Sequence, residues 1–497
     1  MNRKGITLIA LIITVVILII LAGTAIAIGL NGGDLLKKTE NAGKRWSMEQ
    51  EKEIISFTTT LASANNIGTK LGKEQLENAL QGYNVTVQIK GNTPKVIFND
   101  TNRKYRIKLN GEVVYVNEKS LTDVYATLYK DGTLTLSSNK DVIEGKEIEK
   151  QFDKNIGKLI SYTKSDLPWF ENSEYASKIK KVDIINEIAP KNMQFWFSGL
   201  TELESIENIE NLNTSNVVSM WQTFCDCKNL KELDVSKFET GNVASFMNVF
   251  TNCRSLTELN VSGFDTSNVT SMYNVFGNCK GLTSIDVSNF DTSNATSMAY
   301  MFTGCDNLIN VDVSNFNTSK VTVMDRMFTD CKKIEKLDVK NWDTSNVTSM
   351  FFLFNCCSSV SKLEVENWNT AKVRDIGGMF SNCKNLTSLN INNWDIRAVT
   401  KMASTPGPYG TGGLFEGCSN LTEINLSTWD TNAVTNMAWL FKNCTSLRKI
   451  DITEFDMDNV EEYREMLKNV PAGLDIVASE KTKSWLNEKA LEIGYMK

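Results

Sequence analysis

Nine cysteines recur along the chain with a period of 26 residues, and this periodicity limits the possible folds more than any other feature of the sequence. Seven of the eight intervals between them are 26 residues long, and the eighth is 35, which equals 26 plus an insertion of nine. A fixed period of about 20–50 residues is typical of proteins that stack one structural unit on the next. The cysteines are Cys227, Cys253, Cys279, Cys305, Cys331, Cys357, Cys383, Cys418 and Cys444.

Other positions keep the same register relative to each cysteine. A phenylalanine lies three residues before it, aliphatic residues lie three, six and eight after it, and an aromatic residue lies eleven after it. The aliphatic positions alternate with polar ones, which predicts a short strand with one buried face. Val269, Met272 and Phe276 recur at spacings of three and four, which predicts a short helix. A single unit cannot bury these faces, whereas stacked units can.

These features predict an α/β leucine-rich-repeat solenoid over residues 196–460, with short parallel strands plus short helices in each 26-residue repeat. In the degenerate first coil, Thr201 takes the cysteine position. Beyond Val460 the pattern lapses, and we expect residues 461–497 to form a C-terminal cap. The aromatic column follows the strand at an inward register, so we interpret its four tryptophans as core and not as a carbohydrate-stacking surface.

The repeat also carries a resemblance to a known family. The pattern Phe-x-x-Cys-x-x-Leu-x-x-Leu/Ile resembles the BspA-like leucine-rich repeat. The segment Asp-Thr-Ser-Asn-Val, clearest at Asp265 to Val269, resembles the extension found in bacterial and mycoplasma surface proteins. The resemblance implies a cell-surface protein used for adhesion or ligand binding, without enzymatic activity.

The N-terminal segment predicts a membrane span. The residues from Ile6 to Leu30 include no charged side chain, and a helix of this length spans the hydrocarbon of a bilayer. The segment Lys4-Gly5-Ile6-Thr7-Leu8-Ile9 resembles the leader of type IV prepilins. That resemblance implies cleavage after Gly5 by a prepilin peptidase, a new N-terminus at Ile6, and a chain whose bulk lies outside the cell. The family usually has Glu where this sequence has Ala10, which weighs against assembly with pilin subunits.

The residues between the span and the repeats divide into two further regions. We assign the leader and the membrane span to residues 1–33. For residues 34–120 we expect that the helix continues and is followed by a small pilin-like α+β region. The alternative is an unrelated α+β spacer. The α+β region comprises a short helix from Lys73 to Leu80 and four strands, with a hairpin turn at Asn110-Gly111. Residues 121–195 predict a β-rich lead-in with a hairpin at Asp131-Gly132.

Composition excludes several classes of catalyst. The chain of 497 residues has no histidine, which excludes Ser-His-Asp catalysis and histidine-ligated zinc. We find no phosphate loop or catalytic carboxylate motif, so we expect no enzyme activity, no cofactor and no metal. Residues 196–460 carry 20 basic and 30 acidic side chains, a net charge of −10, so we expect no nucleic-acid partner.

The cysteines themselves predict a structural role. We interpret the nine periodic cysteines as a buried ladder of free thiols that pack as small apolar side chains. Cys225 and Cys356 lie off the period, in Cys-x-Cys and Cys-Cys pairs, and are the two candidates for disulfide or redox chemistry.

Seven residues after each cysteine lies a mostly acidic column that points outward from the strand. We predict a partner-binding face for a protein or glycan on another cell or in the matrix. The alternatives are a solvated strand face and a set of calcium sites. The column comprises Asp234, Asn260, Asp286, Asp312, Asp338, Glu364, Asn390, Asn425 and Asp451.

The nine-residue insertion is a candidate binding loop. Residues 403–413 contain Pro406, Pro408 and Tyr409 together with four glycines. Insertions in solenoids project from one face and often bind, although a surface loop is also simply tolerated in many proteins. Together these features predict a membrane-anchored adhesion protein of a bacterial cell surface. The alternative is a minor pilin or pseudopilin that carries the solenoid in a filament.

Overall fold

The computed structural model describes residues 55–56, 73–80, 85–90, 93–98, 103–107, 113–116, 121–404 and 412–495. Contacts divide the chain into two compact units, Met1–Glu118 and Lys119–Lys497. Gly5, Ile6, Ala10 and the span to Leu30 lie outside the described residues, as do the Asn110-Gly111 turn and Pro406, Pro408 and Tyr409 of the insertion. Among the helices that the structure describes, none has both the length and the apolar character needed to cross a bilayer.

The first unit contains a short helix and an antiparallel meander of four strands. The helix that follows the span is predicted over residues 34–66. The structure describes residues 55–56 of this range, and they are helical. The strands lie where the alternation of apolar residues predicts them and pair in the order β1-β2-β3-β4. Ile55, Leu76, Val87, Val96 and Tyr105 form the centre of its core. The elements are α1 (Lys73–Ala79), β1 (Val85–Lys90), β2 (Thr93–Phe98), β3 (Arg103–Ile107) and β4 (Val113–Val116).

The second unit begins with a mixed sheet of five strands in the order β7-β5-β6-β8-β9. The predicted hairpin at Asp131-Gly132 joins β5 to β6, and Gly132 adopts a φ of +86°, which glycine tolerates best. Strand β8 pairs in parallel with β6 on one side and with β9 on the other, which is the same parallel pairing that the strands of the solenoid use. The elements are β5 (Tyr125–Tyr129), β6 (Thr133–Ser137), β7 (Ile148–Gln151), α2 (Ser173–Lys178), β8 (Lys181–Ile184) and β9 (Ser205–Glu207).

The rest of the second unit is a β-solenoid of about 11 coils. Its short strands pair in parallel with a register shift of 26 residues, so that Leu233 lies opposite Leu259. A second ladder of single parallel bridges runs through Ser245, Ser271 and Ser297 and continues to Glu462. The strands are β10 (Glu232–Asp234), β11 (Glu258–Asn260), β12 (Ser284–Ile285), β13 (Asn310–Val311), β14 (Glu423–Asn425), β15 (Lys449–Ile452) and β16 (Asp475–Ala478).

The short helix predicted in each repeat is wrong. The segment that holds Met272 and Phe276 consists of successive turns, because Asn274 and Asn278 adopt φ values of +56° and +58°. A left-handed residue at every fourth position interrupts any right-handed helix. The Phe276 N–H instead donates to the carbonyl of Met301 in the next coil, at 2.9 Å. Met272 and Phe276 are nevertheless fully buried, so the apolar periodicity marked the core correctly.

Both ends of the solenoid also differ from the prediction. Leu200, not Thr201, takes the cysteine position of the first coil, because Phe197 stacks on Phe224 at 5.3 Å and so sets the register. At the other end, the coil geometry continues past Val460 through the bridge of Glu462 to Asn436 and through β16. The helix α3 (Glu480–Glu488) follows β16 and buries Leu486.

Candidate functional site

The outward side chains of the parallel strands form one continuous strand face. In β10 the buried Leu233 separates the exposed Glu232 and Asp234, as the two-residue period of a strand requires. In the next coil Glu258 lies opposite Glu232, and Asn260 lies opposite Asp234. With Asp286 these residues line a concavity of about 500 Å³. We call these five residues, Glu232, Asp234, Glu258, Asn260 and Asp286, the acidic strand face.

Most of the predicted acidic column also fixes the turn that follows each strand. Oδ1 of Asp286 accepts hydrogen bonds from the Ser288 hydroxyl at 2.6 Å and from its N–H at 3.0 Å. The same pair of contacts links Asp312 to Ser314. These donors lower the pKa of both carboxyl groups because they favour the ionised form. Asp234, Asn260, Asn425 and Asp451 accept equivalent bonds from the residue two positions later.

The column changes character along the solenoid. Asp338 lies 3.4 Å from Lys340, and Glu364 lies 2.5 Å from Lys362, so these carboxylates have their own cations. Asn390 is exposed and uncharged. Of the four column carboxylates without an ion pair among the described residues, Asp234, Asp286 and Asp312 lie in the N-terminal coils and Asp451 lies near the C-terminal end. The predicted set also missed Glu232 and Glu258, which the alternation of the strand places on the same face two residues earlier.

A second, mostly acidic column lies twelve residues after the periodic cysteines, where seven of the nine residues are aspartate or glutamate and Asn317 and Asn369 are the other two. Asp265 accepts hydrogen bonds from the Ser267 hydroxyl at 2.6 Å and from its N–H at 3.0 Å, and Asp291 accepts from the Ser293 N–H at 2.9 Å. These bonds lower the pKa of both carboxyl groups. The recurring Asp-Thr-Ser-Asn segment, which begins with an exposed aspartate, is the sequence signal from which this column could have been found.

The nine periodic cysteines are buried and unpaired. Their thiols lie in a low-dielectric interior that disfavours the thiolate, and this burial raises the pKa of Cys305 to about 12. Cys225 and Cys356, the candidates for redox chemistry, are also free thiols. Burial raises the pKa of Cys225 to about 12 and that of the partly exposed Cys356 to about 11, so neither resembles an activated cysteine.

The aromatic column lies inside the solenoid. Trp342 and Trp368 stack with ring centroids 6.0 Å apart, and Trp394 and Trp429 continue the stack at 6.2 and 6.4 Å. Each indole N–H donates to a backbone carbonyl of the preceding coil; that of Trp368, for example, donates to Val339 at 3.0 Å. The rings are 3% exposed or less, so they offer no surface to a ligand.

The calcium alternative and the insertion are the two remaining candidate sites. Within the described ranges, no three histidine, cysteine, aspartate or glutamate side chains lie close enough together to hold a metal ion. At the base of the insertion, the Ser404 N–H donates to the Gly412 carbonyl at 2.9 Å, and Ala403 forms an antiparallel bridge with Gly413.

Comparison with known proteins identifies a family. No curated protein matches the sequence. A leucine-rich repeat protein from Bacteroides ovatus, of known crystal structure, is 14% identical with a TM-score of 0.31, and the match covers 80% of this chain and 98% of that one. The model of the family described as "Mycoplasma protein of unknown function, DUF285" matches residues 191–311, 271–363, 296–408 and 409–473. These matches together span more than half of the chain, which therefore belongs to the DUF285 family.

Proposed function

We propose that this protein is a non-catalytic binding protein of a bacterial cell surface, and that its acidic strand face binds a basic partner in adhesion. The observation that carries the proposal is the pair of Glu232 and Glu258. The parallel register places these two exposed carboxylates opposite each other, and neither has an ion pair among the described residues. Adjacent parallel strands lie about 4.8 Å apart, so like charges in this arrangement destabilise each other.

A lysine- or arginine-rich segment of a partner would remove that repulsion. The concavity of about 500 Å³ gives such a segment a recessed surface with carboxylates from three successive coils. Complementary charge of this kind accelerates association and selects against acidic partners. Attachment of the chain to the cell through Ile6–Leu30, with the solenoid outside, belongs to the same proposal and is supported by the apolar composition of that segment.

Binding of the full chain to an immobilised oligolysine peptide, compared with an oligoglutamate peptide, tests the proposal. The double variant Glu232→Gln/Glu258→Gln keeps the shape of the face and removes two charges. We expect it to bind oligolysine about tenfold more weakly than the unaltered chain at low salt, and we expect the difference to shrink as salt is raised.

The matched control is Glu171→Gln/Glu174→Gln, which removes two exposed carboxylates at the start of helix α2, away from the acidic strand face. An equal loss of affinity in this control would mean that bulk charge, and not the strand face, attracts the peptide. Adhesion is then tested with beads that carry the unaltered or the Glu232/Glu258 variant chain on immobilised matrix proteins and on whole cells. Equal adhesion of the two kinds of bead would contradict the role of the face.

A further inference from the structure

A row of large side chains runs along the turn segments that precede the cysteines, away from the strands. In the six consecutive coils whose cysteines run from Cys227 to Cys357, one of the two positions five and six residues before the cysteine holds an aromatic residue, a methionine or an arginine. All six are partly or fully exposed, and Trp221 is 38% exposed. We call this row the turn-face stripe: Trp221, Met247, Tyr273, Tyr300, Arg326 and Phe351.

From Tyr273 to Phe351 the side chains of the stripe contact one another from coil to coil. The ring centroids of Tyr273 and Tyr300 lie 5.2 Å apart. The guanidinium of Arg326 lies 5.9 Å from the ring of Tyr300 and 5.1 Å from that of Phe351, so it continues the row by cation–π contact. Among the described residues, the hydroxyls of Tyr273 and Tyr300 have no hydrogen-bond partner. The stripe therefore combines flat apolar surfaces with free polar groups at a regular spacing.

Two members of the stripe, Tyr300 and Arg326, occupy a backbone conformation that does not favour their side chains. Five residues before the cysteine, the chain adopts the left-handed conformation, and Asn248 and Asn274 show the residue type that suits it. Tyr300 and Arg326 adopt the same conformation, with φ values of +63° and +56°. The left-handed conformation is sterically unfavourable for residues with larger side chains. Residues retained against such a cost are typical of functional surfaces.

We infer that the turn-face stripe binds an uncharged polysaccharide chain. The apolar C–H faces of pyranose rings stack on aromatic rings, and the ring hydroxyls of a sugar can bond the tyrosine hydroxyls. An extended β-linked chain advances by one sugar over a distance close to the spacing of the coils, whereas an extended polypeptide advances about 3.3 Å per residue. The net charge of −10 on residues 196–460 disfavours nucleic acids and acidic glycans, which would otherwise suit an aromatic row.

Affinity electrophoresis of the full chain tests this inference, with hydroxyethyl cellulose or barley β-glucan cast in a native gel. The double variant Tyr273→Ala/Tyr300→Asn removes two rings and copies residues that the chain already uses in neighbouring coils, Ala299 and Asn274 respectively. The fold should therefore tolerate it, which the far-UV circular dichroism spectrum and urea midpoint check. We expect both polysaccharides to retard the unaltered chain and the double variant to bind at least about tenfold more weakly.

The control variant is Ile309→Ala, which removes a 40% exposed apolar side chain just before strand β13. It should be retarded as strongly as the unaltered chain. Three results would overturn the inference: no retardation by either neutral polysaccharide, equal retardation of the folded double variant, or preferential binding of heparin or a proline-rich peptide. The Glu232→Gln/Glu258→Gln variant should retain polysaccharide binding, because it alters the acidic strand face and leaves the turn-face stripe unchanged. A failure of one proposal can therefore be distinguished from a failure of the other.

Discussion

The thiol of Cys253 donates a hydrogen bond to the backbone carbonyl oxygen of Phe224 in the preceding coil, with Sγ 3.1 Å from the oxygen. The other eight periodic cysteines make the same bond at 3.0–3.2 Å. Cysteine suits this position because it is small, packs as an apolar side chain and still supplies a weak donor. The period that predicted the solenoid thus reflects a contact between coils and not a disulfide framework.

Alkylation of the native chain by iodoacetamide at about pH 8 should be slow at all eleven thiols. The thiolate is the reactive form, and burial raises the pKa of Cys418 to about 12 and that of Cys356 to about 11. The thiolate fraction of Cys356 is then about two orders of magnitude below that of an unperturbed cysteine. Because Cys356 is partly exposed, peptide mass spectrometry should find it labelled first.

The same experiment in urea supplies the control, because every cysteine should react rapidly once the chain is unfolded. Fast labelling of a ladder cysteine such as Cys305 in the native chain would contradict the buried hydrogen-bonded ladder. Stoichiometric disulfide formation between Cys356 and Cys357 in the isolated native protein would contradict the free thiols of the structure.

The core of each coil could be predicted from sequence, but the backbone path of the turn segment could not. Apolar spacings of three and four are typical of a helix, and Met272 and Phe276 are buried as that pattern requires. The signal for the left-handed residues was the recurrence of Asn or Gly just before the cysteine. That signal is weak in a single coil and is obscured where Cys356 or Asp330 takes the position.

Asn278 provides a direct test of this backbone. Its φ is +58°, and the equivalent residues Gly304 and Gly417 have φ values of +68° and +73°. Asn278→Ala should lower the free energy of unfolding by about 1–2 kcal/mol, because alanine is disfavoured in the left-handed region. Asn278→Gly should cost less, and urea denaturation measures both. If the alanine variant is as stable as the glycine variant, the segment does not adopt these turns.

The buried threonines are a feature that sequence reasoning missed. In the Asp-Thr-Ser-Asn-Val segment the threonine resembles any other turn residue, and its burial depends on the next coil. Oγ1 of Thr292 donates to the carbonyl of Asn317 at 3.0 Å and accepts from the N–H of the same residue at 2.7 Å. One hydroxyl therefore satisfies both backbone groups of a residue 25 positions later. No local pattern shows such a contact.

Thr292→Val should destabilise the chain by about 2–3 kcal/mol, because it keeps the shape of the side chain but leaves two backbone groups of Asn317 unsatisfied. The matched control is Ile396→Val, in the one coil between Thr214 and Thr431 where an apolar residue takes this position. Shortening a buried isoleucine to valine costs about 0.5–1.5 kcal/mol. Urea denaturation of both variants should rank them in this order, and the reverse order would contradict the role of the hydroxyl.

Acid should destabilise the solenoid through its turn-forming aspartates. Hydrogen bonds from Ser288 and Ser314 lower the folded pKa of Asp286 and Asp312 below the usual 3.8. These aspartates therefore stabilise the folded chain fully above the pKa that they have in the unfolded chain. The stabilisation is lost as pH falls through the lower pKa that they have in the folded chain. Half-buried Asp325 and Asp375 act in the opposite direction, because burial raises their pKa and acid relieves the cost of their charge.

We expect the turn-forming aspartates to outweigh this pair because they recur in most coils, so the urea midpoint should fall between about pH 5 and about pH 3. The variant Asp286→Asn/Asp312→Asn retains an acceptor that does not titrate. Asn260 shows that asparagine forms the turn, since it accepts from the Ser262 N–H at 3.2 Å. The variant should therefore fold at neutral pH and lose less stability in acid than the Glu171→Gln/Glu174→Gln control. A decline as steep as that of the control would mean that these carboxylates do not couple pH to folding.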